Sequence, residues 1–572
     1  MDSAEEIERE DAALGSWPRR LLHIPTMVSY EWQPGNRYGS YVEPSYNAIT
    51  YTWGRWKLSG HERPDVRSIV VHGIPWEVPR VDPDHFTVLQ FQSFLKTTTG
   101  SVSHWMLKHI SASVEFVWLD VACIDQRGTE PRSAAEIGRQ AAIFKGAQNV
   151  FAWLSTMPIA DLQRILASLD TLSDVVRIVP FGTTPAASSQ QLTTIHDHLG
   201  QLFKDPWFSS LWTLQETFLR QDVVLLSREG NAVALPGMKA GSTYSPTFFD
   251  LISFCECMYV PNVNSSEIGK PYPQILELIE ASGIMAISSQ NAMAAYAAVG
   301  HRTSVKAEDR VYGMQQMFGF RLGITATSPP PKPFYTLEEL EDQLGEQLLL
   351  HYPVLSQLHV FTEPAARGRG WHVSQKSMIP DMVWSEGNPA WPTPDEQEEA
   401  RCSFSVRNVD SRNWGYFEGP LCKFSEFSEA CMAFEESNAY PEHYFSENNF
   451  LTLYMDRCME MSSSAHYQSN TFHRTPQGSQ QRDLARWLCE TFNDNALHIL
   501  LLGPRSSQVG RSRVMLGLVL LRSSGQSFDH YRRLGFCYWL ISHTTMGGDP
   551  LPGHDFFDGR GESWRPSSGV FG

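Results

Sequence analysis

FVWLDVACIDQ, residues 116–126, decides the fold. Its first nine residues form a nearly continuous apolar run, the pattern of a strand buried on both faces of a parallel sheet. One aspartate, Asp120, interrupts the run. A carboxylate in a dry setting needs hydrogen bonds or a partner. Asp120 and Asp125 therefore either cap nearby backbone amides or belong to a site. Cys123, Asp125 and Gln126 cluster where the strand meets its loop. Ligands of open α/β sheets gather at that end of a strand.

Working outward, short apolar runs alternate with longer helical ones. YNAITYTW (46–53) reads as a strand ending in Gly54, and SIVVHG (68–73) as a strand closed by glycine. DHFTVLQFQSFLK (84–96) is helical, as are AAEIGRQAAIFKGA (134–147) and LTTIHDHLGQLF (192–203). NVFAWLS (149–155) and DVVLLS (222–227) are buried strands. This alternation predicts an α/β layered sheet with flanking helices over residues 21–230, after a flexible acidic leader at 1–20. Residues 231–326 read as mostly helical, TSPPPKP (327–333) as a stiff hinge, and 334–480 as a helix plus irregular chain. Thr336 and Glu339 form the capping box of that helix. Residues 481–572, with HILLLG, VMLGLVLL and GFCYWL, make an α+β module.

Length asks for about three or four domains. A hydrophobic share of 42% with 17 Trp supplies their cores, and 19% charged residues argue against wholesale disorder. A net charge of −17 repels phosphate backbones, which disfavours nucleic acid as a partner. VMLGLVLL is far short of the roughly 20 residues a membrane span needs, and the acidic N-terminus lacks a signal-peptide core. Nine scattered Cys without a CxxC pair fit a reducing, cytoplasmic setting.

SLWTLQETF (210–218) carries the second carboxylate of interest. At about 100° per residue, Leu211, Leu214 and Phe218 form one apolar stripe that Trp212 widens. Glu216 falls at its edge. A solvated glutamate belongs there, and so does a carboxyl whose pKa rises beside a large aromatic. Trp53-Gly54 likewise reads as a ring presented over a pocket or as a turn with a core aromatic. Other patterns are bland. His196 and His198, two apart on a helix, read as solvent-facing, Cys255-Glu256-Cys257 as structural thiols, and GPRSSQVGRS (503–512) as a turn.

Taken together, the segments resemble the fungal heterokaryon-incompatibility (HET) domain proteins. YNAITYTWG resembles that family's Y-x-A-L-S-Y-x-W-G, and FVWLDVACIDQ its L-W-I-D-x-x-C-I-N-Q. IFKGAQNVFAWLS (143–155) and PWFSSLWTLQE (206–216) resemble two further motifs in the same order. Weaker likeness continues through AEDRVYGMQQMFGF (307–320), IPDMVW (379–384) and YRRLGF (531–536). The resemblance implies a TIR/flavodoxin-like, mostly parallel sheet and a role in non-self recognition and regulated cell death. Some TIR domains are NAD⁺ glycohydrolases with an essential W-C-x-x-E glutamate, and Trp212 and Glu216 share that spacing. It thereby implies Glu216 as the catalytic residue. Trp53, Gly54, Asp120, Cys123, Asp125, Gln126, Trp212 and Gln215 would hold NAD⁺ as substrate, with no resident cofactor or metal. Ser210 stands where the family commonly has Arg, removing a cation that could meet a diphosphate. Two functions stay open: an NAD⁺-hydrolysing effector, or a non-enzymatic module that self-associates while residues 240–572 sense a protein partner.

Overall fold

The computed structural model describes residues 4–60, 62–100, 114–127, 131–177, 187–237, 242–259, 272–288, 292–326, 332–380, 400–436, 450–457, 478–493, 495–506, 512–523, 529–542 and 554–572. The chain divides into two compact units, Met1–Leu340 and Glu341–Gly572.

The first unit is built on eight strands: β1 (Arg20–His23), β2 (Val28–Gln33), β3 (Arg37–Tyr38), β4 (Tyr41–Val42), β5 (Tyr46–Thr50), β6 (Phe116–Trp118), β7 (Val150–Trp153) and β8 (Val224–Leu226). They lie in the order β4-β3-β2-β1-β6-β5-β7-β8. β5 pairs in parallel with β6 and β7, and β7 with β8. All four are buried along their whole length: β6, β7 and β8 as their apolar runs required, and β5 with Asn47 and Thr50 hydrogen-bonded. In order of appearance they run 2-1-3-4, so the winding of the parallel half reverses between β5 and β7.

The expectation of a mostly parallel sheet is corrected. β1 lies antiparallel to β6 and to β2, and β3 and β4 continue as hairpins, so the sheet is mixed. Tight turns at Met27, Gly35 and Asn36, all with positive φ, return the chain too quickly for helical crossovers. Three further local expectations shift. SIVVHG makes only an isolated bridge, His72 to Val28, instead of a strand. β6 stops at Trp118, and residues Asp120–Cys123 turn into the short helix α3. The helix expected over 134–147 is two helices, α4 (Pro131–Ile137) and α5 (Gln140–Gly146), parted at Gly138-Arg139. The numbering counts α1 (Ala4–Leu14), in the acidic leader, and α2 (Val88–Thr97).

Asp11 of α1 ion-pairs with Arg19 and, at 3.0 Å, with Arg321. Thr87 and Gln90 close a capping box on α2. Beyond β7 come α6 (Ile159–Arg177), α7 (Ser189–Leu202) and α8 (Leu211–Leu219). Helices Phe248–Tyr259, Tyr272–Ser282, Ile284–Ser288 and Ala292–Val299 fill the segment expected to be helical. His198 is buried, against expectation, because Arg164 of α6 reaches its Nε2 at 2.9 Å.

Thr336 and Glu339 form the expected capping box before helix Leu337–His351: the Glu339 amide donates to the Thr336 hydroxyl at 3.3 Å, and the Thr336 amide to the Glu339 carboxylate at 3.1 Å. Most of the Pro-rich hinge, residues 327–331, lies outside the described residues.

The second unit holds a seven-stranded sheet. Its long strands Leu497–Ser506, Ser512–Arg522 and His530–Ser542 are antiparallel neighbours. The stretch expected to be irregular supplies a hairpin, Ser403–Val409 with Arg412–Lys423, the helix Phe424–Glu436, and the strand Leu451–Met455 beside His530–Ser542. Phe427, Leu488 and Trp539 meet in its core. Of GPRSSQVGRS, residues 503–506 belong to a strand instead of a turn, and 507–511 lie outside the described residues.

Gly535 is required for that sheet. Its φ is 147°, and a Cβ there would stand 2.1 Å from the carbonyl oxygen of Tyr454 on the neighbouring strand. Gly535→Ala is expected to cost roughly 1–3 kcal/mol of stability, read as a lower denaturant midpoint. Among the described residues no helix is long and apolar enough to cross a membrane.

Candidate functional site

The carboxyl ends of β5 and β6 bring three sequence motifs together. β5 ends in Thr50, whose hydroxyl oxygen accepts the Trp207 indole N–H at 2.9 Å. Tyr51 and Trp53 follow on the exit loop. The Tyr51 hydroxyl donates to Asp120 Oδ1 at 2.9 Å, and the Trp53 indole donates to Oδ2 at 2.7 Å. The Val121 amide adds a third donor to Oδ1 at 2.7 Å. Asp120 thus opens α3, accepts the amide of the next residue and is the meeting point of two aromatic side chains. Burial raises its pKa, and the bonds from Trp53, Tyr51 and Val121 oppose the rise.

Glu216 comes to the same place from α8. Of the two settings open to a residue at the stripe's edge, Glu216 has the buried one: it is 9% exposed, and Leu211 and Thr213–Phe218 are all buried. Helices from outside the motif, Ile284–Ser288 and Ala292–Val299, pack against α8 where a helical wheel leaves it to water. The Thr50 hydroxyl bonds the Glu216 carboxyl, while Oε2 has no partner among the described residues. Burial lifts the Glu216 pKa well above the carboxylate range, the charge of Asp120 adds to the lift, and the Thr50 bond opposes it. Tyr51 feels both acids: burial, Asp120 and Glu216 all hold its phenol protonated. Two carboxyls therefore share one low-dielectric site, and only Asp120 is well supplied with donors.

The remaining expected site residues divide. Gln126 braces the turn by donating to the backbone carbonyls of Asp120, at 3.2 Å, and Ile124, at 2.9 Å. Gly54 is exposed at the rim and opens the turn Gly54–Trp56. Asp125 turns instead to Arg127, two residues on, whose guanidinium and amide hold its carboxylate below the usual range. Cys123 is a buried thiol, pushed by burial up to about 12. Trp212 bonds the Asp309 carboxyl, and Gln215 donates to Gln140 Oε1 at 3.0 Å, on α5.

Sequence reasoning passed over Thr50, Tyr51 and His85. Thr50 and Tyr51 lie inside the quoted opening motif, but nothing in it showed which way they face. His85 is buried, its ring stacked 3.7 Å from Trp56, with Nε2 at 2.7 Å from the Thr52 carbonyl oxygen. Burial lowers its pKa to about 4, so it is neutral at physiological pH. Beside the site, Tyr51, Ile69, Val78, Phe86, Phe91 and Val121 wall a cavity of about 20 Å³, room for one water.

An arginine from a later segment lies beside Ser210. Arg302 donates to the carbonyl oxygens of Ser210 (3.3 Å), Trp207 (3.4 Å) and Ser282 (2.6 Å). Thr303 pairs with Ser209 and Leu211, and Gln316 bonds the Ala141 amide at 3.0 Å. The segment 302–316 thus clasps α8 and α5. Among the described residues no group of three or more His, Cys, Asp or Glu is placed to hold a metal ion.

Residues 46–216 match the family model of the heterokaryon incompatibility protein (HET). The match starts at Tyr46, the first residue of β5, and stops at Glu216, the acid on α8. It makes this a heterokaryon-incompatibility-type segment, within the broader 21–230 expected. No curated protein and no solved structure matches the chain. The clasp at 302–316 lies beyond the matched HET segment, yet it fixes the helix that carries the segment's last residue.

One prediction arises from the Asp120 cluster. Tyr51→Phe removes one of its donors and is expected to cost about 1–3 kcal/mol. Because the folded pKa of Asp120 is already raised, stability falls as pH rises from the unfolded value through the folded one. The variant extends that fall to higher pH, which thermal melting across a pH series reads directly.

Proposed function

We propose that the chain acts in fungal non-self recognition and regulated cell death, and that its HET segment cleaves the nicotinamide–ribose bond of NAD⁺. The observation that carries this is the convergence of Glu216, Asp120, Tyr51 and Trp53 at the carboxyl ends of β5 and β6. The parallel strand order 2-1-3-4 supports the TIR/flavodoxin-like kinship, and β5, whose exit carries Tyr51 and Trp53, borders the point where the winding reverses.

Cleavage of an N-glycosidic bond develops oxocarbenium character at the ribose, as in glycosidases, and a nearby negative carboxylate stabilises it. Asp120, with three donors, supplies that charge from a fixed position. Glu216 faces the ribose hydroxyls, and the partly exposed Trp53 ring offers a face for stacking. The second unit, Glu341–Gly572, is the part we assign to sensing a protein partner. The test is loss of NAD⁺ with concentrated, purified full-length chain. Wild type is expected to consume NAD⁺ above background and Glu216→Ala to fall to background. Background rates in both remove the enzymatic reading and leave self-association without catalysis.

A further inference from the structure

Asp120 and Glu216 are not equivalent acids. Both Asp120 oxygens are occupied, Oδ1 by the Tyr51 hydroxyl and the Val121 amide, Oδ2 by the Trp53 indole. Three donors match an ionised carboxylate, which only accepts. Glu216 has the Thr50 hydroxyl at its carboxyl and one buried oxygen, Oε2, with no partner. A negative Glu216 would sit near a second negative group with half its acceptor capacity unused. A neutral Glu216 instead has an O–H to give, and the buried Oε2 has no partner among the described residues that would compete for it.

We propose that Glu216 carries a proton in the resting protein and delivers it to a departing base, so that the site also takes ribonucleosides and ribonucleotides whose base is neutral, purines among them. This rests on reading the site as one that cleaves N-ribosides, and it names a substrate class beyond NAD⁺. Nicotinamide leaves NAD⁺ as a neutral pyridine and needs no proton. A purine leaves as an anion unless an acid protonates it, so an acid at this position serves the neutral-base substrate.

The step balances with water alone. The C1′–N bond breaks and its electron pair stays on the base, which takes the Glu216 proton at a ring nitrogen. Asp120 stabilises the positive charge at C1′. Water adds to C1′ and returns a proton to the Glu216 carboxylate, leaving the free base and ribose, or ribose 5-phosphate from a 5′-nucleotide.

Burial, then the Asp120 charge, keeps the proton on Glu216. The titratable groups facing it are Asp120 and Tyr51. The elements packed on α8, Gln140–Gly146, Pro206–Ser209, Ile284–Ser288, Ala292–Val299 and Gln315–Met317, bring Lys145, which is exposed, and Tyr296, whose ring carries Arg310.

Glu216→Gln separates the roles, since an amide keeps the shape and a donor but transfers no proton. Full-length wild type and Glu216→Gln are incubated with NAD⁺ and, separately, with inosine 5′-monophosphate, and nicotinamide or hypoxanthine release is followed against pH. The variant is expected to lose about 100-fold or more in hypoxanthine release and less than about tenfold in nicotinamide release. Wild-type hypoxanthine release should fall about tenfold per pH unit once Glu216 deprotonates. An infrared carboxylic-acid band present at neutral pH in wild type and missing in Glu216→Gln is expected, independent of turnover.

Absence of that band overturns the proposal. So does hypoxanthine release that is equal in both proteins. Nicotinamide release without hypoxanthine release overturns it while the NAD⁺ reading stands. Release of neither base overturns both, and hypoxanthine release alone supports this proposal against NAD⁺ as the substrate.

Discussion

Glu216→Ala is expected to lower NAD⁺ loss by roughly 100- to 1,000-fold, the range seen when one preorganised polar group is removed from a transition state. Alanine takes away both the ribose-facing oxygen and the carboxyl near C1′, so the effect should exceed that of glutamine. It should not come from unfolding. Glu216 Oε2 has no partner to orphan, and the deletion leaves only the Thr50 hydroxyl to be re-satisfied. The folded pKa of Glu216 is raised, so in wild type stability falls as pH rises from the unfolded carboxyl value to the folded one. The variant lacks that fall, and its melting temperature should gain on wild type as pH increases. A variant that melts normally yet consumes NAD⁺ at the wild-type rate removes Glu216 from the chemistry.

The parallel half of the sheet was legible because strands buried on both faces are mostly apolar; even β5, which buries Asn47 and Thr50, satisfies them with hydrogen bonds. FVWLDVACI, YNAITYTW, NVFAWLS and DVVLLS all announce themselves in this way. β1–β4 did not. They are two to six residues long, and β2 buries only Ser29 among partly or fully exposed positions, so no run of pattern accumulates. The Gly138-Arg139 break was hidden by apolar positions that continue in phase on either side. The hairpin 403–423 was hidden because its first strand has no buried face and its second buries Trp414, Gly415, Phe417, Leu421 and Cys422 without a regular alternation.

At the site, Asp120 was legible as a charge inside an apolar run. Its use of Tyr51 and Trp53 was not, because a strand exit can turn either face to a loop. The helical wheel left Glu216 open between solvent and a buried setting because it shows one helix, whereas Ile284–Ser288 and Ala292–Val299 cover the other side of α8. Asp125 parts from the cluster for a local reason: Arg127 is close enough in sequence to take its carboxylate. The segment AEDRVYGMQQMFGF has a physical role beside α8 and α5. Asp309 and Gln316 within it hold Trp212 and the start of α5.

In the second unit the largest expected effect is on stability. Arg533→Met should cost about 3–5 kcal/mol. Arg533, the second arginine of YRRLGF, is 4% exposed and ends in a network closed to water. One guanidinium nitrogen meets His359 Nε2 at 2.9 Å, and the other donates to the carbonyl oxygens of Gln357, at 3.2 Å, and His359. Asp456 lies 3.5 Å away and accepts the Phe361 amide at 2.9 Å.

Burial raises the Asp456 pKa, and Arg533 is the charge that opposes the rise. Burial and then Arg533 hold His359 well below its usual range, which keeps it the neutral acceptor this geometry needs. Methionine fills the volume but leaves Asp456 as an uncompensated buried acid. The loss should therefore deepen as pH rises through the folded pKa of Asp456, and Arg533→Lys should repair little, because an ammonium cannot span His359, Gln357 and Asp456 at once. Adding Asp456→Asn to Arg533→Met removes the stranded charge and should recover at least half of the loss, measured as denaturant unfolding of the strand His530–Ser542 by hydrogen exchange. A double variant no more stable than Arg533→Met would mean that the guanidinium's bonds to the carbonyls, not its charge, hold this unit together.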